Sequence, residues 1–170
     1  MANDMKVRVE VWPVGADEVG IWLLSGDDAL RSGNIASDAD LFDEARQMLK
    51  RRGMRPLILH GTSNRQDGPA VILTYVAVVE TADLALSAHP TAKPVGAPLQ
   101  DAVGRPYTHA AAEPPTPRDV DALMHTLRHL AFLRDHDVET AAQFSSHWRQ
   151  HLEPLEPALA MMYSDRHEAA

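Results

Sequence analysis

Arg46, Lys50 and Arg51 crowd one short amphipathic stretch, with Gln47 among them and Arg65 farther along the chain. Guanidinium and ammonium groups can bind a phosphate or carboxylate directly, arginine through paired N–H donors and lysine as a point charge. A plainer role competes, because cations in the last turn of a helix complement its dipole and are usually solvated. Just upstream lie Asp38, Asp40, Asp43 and Glu44, hard oxygen ligands of the kind a divalent ion takes, and Glu80 and Asp83 follow a later apolar run. The competing role for the first four is charge complement at a helix N-terminus, which the chemistry favours. His125 and His129 stand four residues apart, the spacing that turns two imidazoles toward one metal, but the acid of an H-E-x-x-H motif is missing. With Phe132 and His136 they continue one stripe, read first as a polar outer face and second as a surface meeting a partner subunit. No activated nucleophile or phosphate-cradling glycine loop is present: G-x-S-x-G, G-x-G-x-x-G and the P-loop pattern are all absent, and Thr62-Ser63-Asn64 reads as turn chemistry. No catalytic residue, metal ligand or cofactor is assigned.

The chain of 170 residues carries a formal net charge of −8, which argues against nucleic acid as the main partner. With no cysteine, disulfides, thiolate catalysis and cysteine-ligated zinc are excluded. No apolar run approaches the roughly 18 residues a membrane span needs. The first residues, MANDMKVRVEV, lack the apolar core of a secretory signal, so the expected location is the cytoplasm, away from membranes.

The elements that must position these groups follow from periodicity. Met5, Val7, Val9 and Val11 alternate with Lys6, Arg8 and Glu10, predicting a half-buried strand ended by Trp12-Pro13. Val19 to Leu24 predicts a second strand paired with the first as a hairpin, and residues 25–38 a long loop. A helix is expected over about 38–52, capped by Ser37, burying Leu41, Ala45, Met48 and Leu49, and ended by Gly53. Pro56 to His60 predicts a strand, Gly61 to Pro69 a hairpin loop, and Ala70 to Glu80 the central strand. Prolines then punctuate the chain; Ala97 to Val103 predicts one helical turn and residues 105–116 a linker or arm. Thr116-Pro117 opens a helix to about Asp135 with Val120, Leu123, Met124, Leu127, Leu130, Ala131 and Arg134 on one face. A second helix is predicted over Val138 to Leu152, with Ala141, Phe144, Ser145, Trp148 and Leu152 inward. A short one follows from Pro157 to about Tyr163, ahead of a frayed tail.

The order strand, strand, long loop, helix ending in Gly, strand, hairpin loop, strand resembles the Nudix fold over residues 5–104. The Nudix signature is a loop–helix–loop, G-x5-E-x7-R-E-U-x-E-E-x-G-U with U apolar. With its last glycine set on Gly53, Arg46, Met48 and Met54 fall on the arginine and the two apolar positions. The departures are at the acids. Gln47 stands at the first glutamate of R-E-U, Lys50 and Arg51 stand at the paired glutamates, and Asp38 replaces the isolated glutamate. Ser32 falls on the first glycine, with Gly33 one residue late.

The resemblance implies an α/β (α+β) domain with a mixed sheet over residues 1–104; the proline spacing and helical periodicity add the linker and a C-terminal helical hairpin over 117–170. Its enzymes hydrolyse nucleoside diphosphates linked to another group, using glutamates to hold Mg²⁺ or Mn²⁺. Gln47, Lys50 and Arg51 cannot take that role, since cations repel the metal. The expectation is a non-catalytic, Nudix-like pseudoenzyme binding a nucleotide-like or other anion through Arg46, Gln47, Lys50, Arg51 and Arg65, or a protein partner. A divergent hydrolase using Asp38, Asp43, Glu44, Glu80 or Asp83 is the first alternative, and a structural protein assembling through its C-terminal helices the second. A homodimer is expected in each case.

Overall fold

In a computed structural model, residues 6–36, 38–95 and 119–159 are described. The chain divides into two units, residues 1–95 and 96–170. The first is a mixed five-stranded sheet with a helix, which establishes the α/β (α+β) class.

Strand β1 spans Lys6–Ala16, well past the expected stop at Trp12-Pro13. Along one edge it pairs antiparallel with β2 (Ile21–Leu23) through Val14, Gly15 and Ala16, and with β3 (Leu30–Arg31) through Glu10 and Val11. Pro13 lies between those two pairings, and its carbonyl still accepts from Leu24 N at 2.9 Å. A missing N–H therefore costs no ladder bond, and the strand continues through its proline. The β1–β2 turn is closed by Asp17, whose carboxylate accepts from the Val19 and Gly20 amides and from the Trp22 indole.

Helix α1 (Leu41–Arg51) begins later than expected. Its cap is Asp40, which accepts from Asp43 N at 3.0 Å; the Ser37 cap lies outside the described residues. Ala45, Met48 and Leu49 are buried as the periodicity requires. Gly53 follows the helix at φ +72°, a left-handed conformation that glycine adopts without a Cβ penalty.

Strand β4 (Ile58–Asp67) corrects the expected loop at Gly61 to Pro69. It runs through Thr62-Ser63-Asn64 with a bulge between Gly61 and Ser63, and turns only at Gly68, φ +56°. The error has a physical source: β4 is the sheet's edge strand, and its exposed polar residues resemble loop composition. Strand β5 (Ala70–Val78) is central, parallel to β1 and antiparallel to β4. Its near-continuous apolar run is what such a position demands. Val9, Val11, Tyr75, Ala77 and Val79 meet Ala45, Met48 and Leu49 of α1 in one core. The opposite face of β1 and β5 carries buried Trp12, Val14, Val76 and Val78 at one end, and polar groups at the other.

In the second unit, α2 (Asp119–His136) buries Leu123, Met124, Leu127, Leu130 and Ala131. The single helix expected over Val138 to Leu152 is two, α3 (Val138–Gln143) and α4 (Ser146–Leu152). Phe144 is extended, and Ser145 caps α4 by accepting from Trp148 N. Arg149 holds the break, donating to the Phe144 and Ala141 carbonyls at 3.2 and 2.6 Å. Pro157, Ala158 and Leu159 are not helical, and the remainder of that predicted helix lies outside the described residues, as do the Thr116-Pro117 cap, the turn at 97–103 and the arm at 105–116.

Candidate functional site

Four of the expected ligand-binding residues lie on the outer side of α1. Arg46, Gln47, Lys50 and Arg51 are exposed, because the helix spends its other positions on the core. Arg51 pairs with Glu44 at 3.1 Å, the two side chains 62% and 30% exposed, a contact worth little in water. Arg65 is not with them. It sits on the sheet face turned away from α1, so the fifth expected residue belongs to a different place.

That place is an open pocket of about 380 Å³ over the polar end of the sheet. Its floor is Glu10, only 2% exposed. The register puts Glu10 opposite Arg31 of β3 on one side and Thr74 of β5 on the other. Arg31 Nε donates to Glu10 Oε1 at 3.1 Å, and Arg65 Nη1 donates to Oε2 at 2.6 Å and to Thr74 Oγ1 at 3.3 Å. Both carboxylate oxygens are thus charge-paired, the condition under which a buried carboxylate is tolerated. Arg31 also donates to the Gly26 carbonyl, which fixes its reach.

Arg8 extends the cationic wall one residue pair along β1. Its Nε donates to Asn34 Oδ1 at 3.0 Å, and Nη1 stands 3.7 Å from Asp67. Ser32 turns the loop over the rim: its hydroxyl accepts from Val9 N at 2.8 Å and donates to the Gly33 carbonyl. The side chains of Arg8, Arg31 and Arg65 remain 42%, 50% and 48% exposed, and all three residues line the open volume. Three guanidiniums against the carboxylates of Glu10 and Asp67 leave the wall at a formal +1 within a chain of net −8. Such a wall attracts anions and can bind a phosphate or carboxylate in forked geometry.

Arg8, Glu10 and Arg31 are absent from the sequence-derived site. Arg8 and Glu10 sit on the polar parity of β1, which alternation assigns to solvent, and Arg31 sits in a stretch read as loop. The available signal was a carboxylate one strand position from an arginine, in a strand buried on its other face.

The expected carboxylate cluster has other employment. Asp40 caps α1, Glu44 pairs with Arg51, and Asp83 accepts from Arg55 N at 3.5 Å. Among the described residues, no three His, Asp or Glu side chains come together as a set that could hold a metal ion. On α2, His129 stacks on Phe132 at 6.2 Å between centroids, and Phe132 lies 4.4 Å from His136. Burial, with the nearby His129 and Arg128 charges, pushes the His125 imidazole below its ordinary pKa. Among the described residues no helix is long and apolar enough to cross a membrane.

Compared with known families and with curated proteins, the chain matches no family model and no curated protein. Its class rests on the fold itself, a mixed-sheet α/β unit with a polar pocket on the face away from its helix.

Proposed function

We propose that the first unit is a Nudix-like binding domain without hydrolase activity, and that it captures a small anion in the Arg8–Arg31–Arg65 pocket. One observation carries this reading: two arginines are anchored on the buried Glu10 while half of each side chain still faces open volume. Both arginines line the pocket and are ordered by these bonds, with their side chains about half exposed. Anchoring also lowers the entropy lost when an anion arrives, because the long side chains are already ordered. The loss of hydrolysis is supported by Gln47, Lys50 and Arg51 at the positions where the Nudix signature places glutamates. Nucleotide-like ligands and a protein partner belong to the same family-based expectation, and a homodimer to the general two-fold symmetry of oligomers.

The test is calorimetric titration of inorganic phosphate and pyrophosphate in the presence of EDTA. Saturable binding that weakens with added salt is expected, because the contacts are charge-assisted. No binding of either anion would refute the reading. A parallel assay with ADP-ribose or nucleoside triphosphates and Mg²⁺ or Mn²⁺ should release no phosphate; turnover would restore the divergent-hydrolase alternative.

A further inference from the structure

We infer that the ligand of this pocket is a phosphorylated polyol of sugar size and not a nucleotide; the inference rests on the anion-binding reading above. Three features of the wall lead there. First, the cations come from three separate elements, β1, β3 and β4, and line one pocket, which suits the several oxygens of a phosphate ester.

Second, the groups beside the cations suit hydroxyls. Asp67 stands 3.7 Å from Arg8 with its side chain 62% exposed, an acceptor at the rim. Asn34 gives its Oδ1 to Arg8, which turns its amide N–H₂ into the available donor. A carboxylate and an amide within one side chain's reach of a phosphate site match the alternating donor and acceptor character of a polyol. Asp67 is a poor neighbour for a second phosphate, so a single phosphoryl group fits better than a chain of them.

Third, the wall offers no platform for a base. Among the described residues no aromatic side chain lines the pocket; its apolar side chain is Ile72, since the Val9 side chain packs in the core on the other face. Stacking on an aromatic ring is a large share of the affinity of base-binding sites, and that share is missing here. The volume, about 380 Å³, is at the small end for ligand sites and matches a sugar phosphate better than a dinucleotide.

The experiment is a calorimetric panel on the full chain with EDTA: inorganic phosphate, glycerol 3-phosphate, ribose 5-phosphate, glucose 6-phosphate and AMP. At least one sugar phosphate should bind about tenfold or more tightly than inorganic phosphate, as two or three added hydrogen bonds would give. AMP should bind no more tightly than ribose 5-phosphate. In Asp67→Ala the ratio of sugar-phosphate to phosphate affinity should fall about fivefold, for loss of one such acceptor. The inference is overturned, with the anion-binding reading intact, if phosphate binds and no sugar phosphate exceeds it, if AMP exceeds ribose 5-phosphate, or if Asp67→Ala leaves the ratio unchanged. Failure of every anion to bind would overturn both.

Discussion

The chain carries two cationic sets, and they differ in what lies beneath them. Arg46, Lys50 and Arg51 ride the outer side of α1, above turns whose inward residues are Ala45, Met48 and Leu49. Arg8, Arg31 and Arg65 border a concave surface floored by a buried carboxylate. The first set is dense in sequence and dispersed into water; the second is scattered over nearly sixty residues of chain and gathered by strand pairing. Cations gathered on a shared buried counter-charge are screened less than cations exposed along a helix, which is why the pocket, and not the denser helical set, carries the proposal.

Removing one cation from each set should separate them most clearly. Arg65→Met leaves Glu10 buried with Arg31 as its remaining guanidinium. Breaking a fully buried pair costs more, but half-exposed arginines temper the loss, so about 2 kcal/mol is expected by urea denaturation. Adding Glu10→Gln to that variant should recover much of the loss; no recovery would mean that Arg65 acts through packing alone. Asp40→Ala, which removes the α1 cap, should cost about 1 kcal/mol by the same measurement. Arg51→Met should stay within about 0.5 kcal/mol of the parent. An Arg51 effect as large as that of Arg65 would erase the distinction.

A smaller effect lies in alkaline pH. Burial first, and the Asp40 carboxylate second, push the Tyr75 phenol above its ordinary value. A raised acid pKa means that the folded state holds its proton longer than the unfolded one. That contribution is complete below the unfolded tyrosine value near 10 and is lost as pH rises through the folded value. Tyr75→Phe should therefore flatten the alkaline fall of stability, followed by denaturation at stepped pH. An unchanged alkaline slope would mean that Tyr75 is not its source.

Much of the frame was legible. The α1 stripe, the glycine after it and the apolar run of β5 each obey a local rule, and each forms where that rule places it. The failures share one cause, which is that a neighbour decided the outcome. Pro13 is harmless because it falls between two pairings, and residues 61–67 extend because β5 lies beside them. Ser145, read as an inward helix residue, caps a new helix because Arg149 takes up the carbonyls of the break. The pocket was the least legible feature. Alternation correctly placed Arg8 and Glu10 on one face but could not tell that β3 and β4 would bring Arg31 and Arg65 over it. Of the three pocket cations only Arg65 belongs to the set expected from sequence, and the other members of that set lie on the opposite side of the sheet.

We place the anion in the sheet-face pocket and not on the α1 surface. Titration of inorganic phosphate into Arg8→Gln and into the double variant Lys50→Gln/Arg51→Gln, both with EDTA, tests this placement most directly. Arg8 does not pair with Glu10, so its loss removes a pocket cation while the buried triad stays whole. Loss of one charge-assisted contact should weaken phosphate binding about tenfold in Arg8→Gln, with less than about a twofold change in the double variant. Unchanged affinity in Arg8→Gln together with a loss in the double variant would contradict the account.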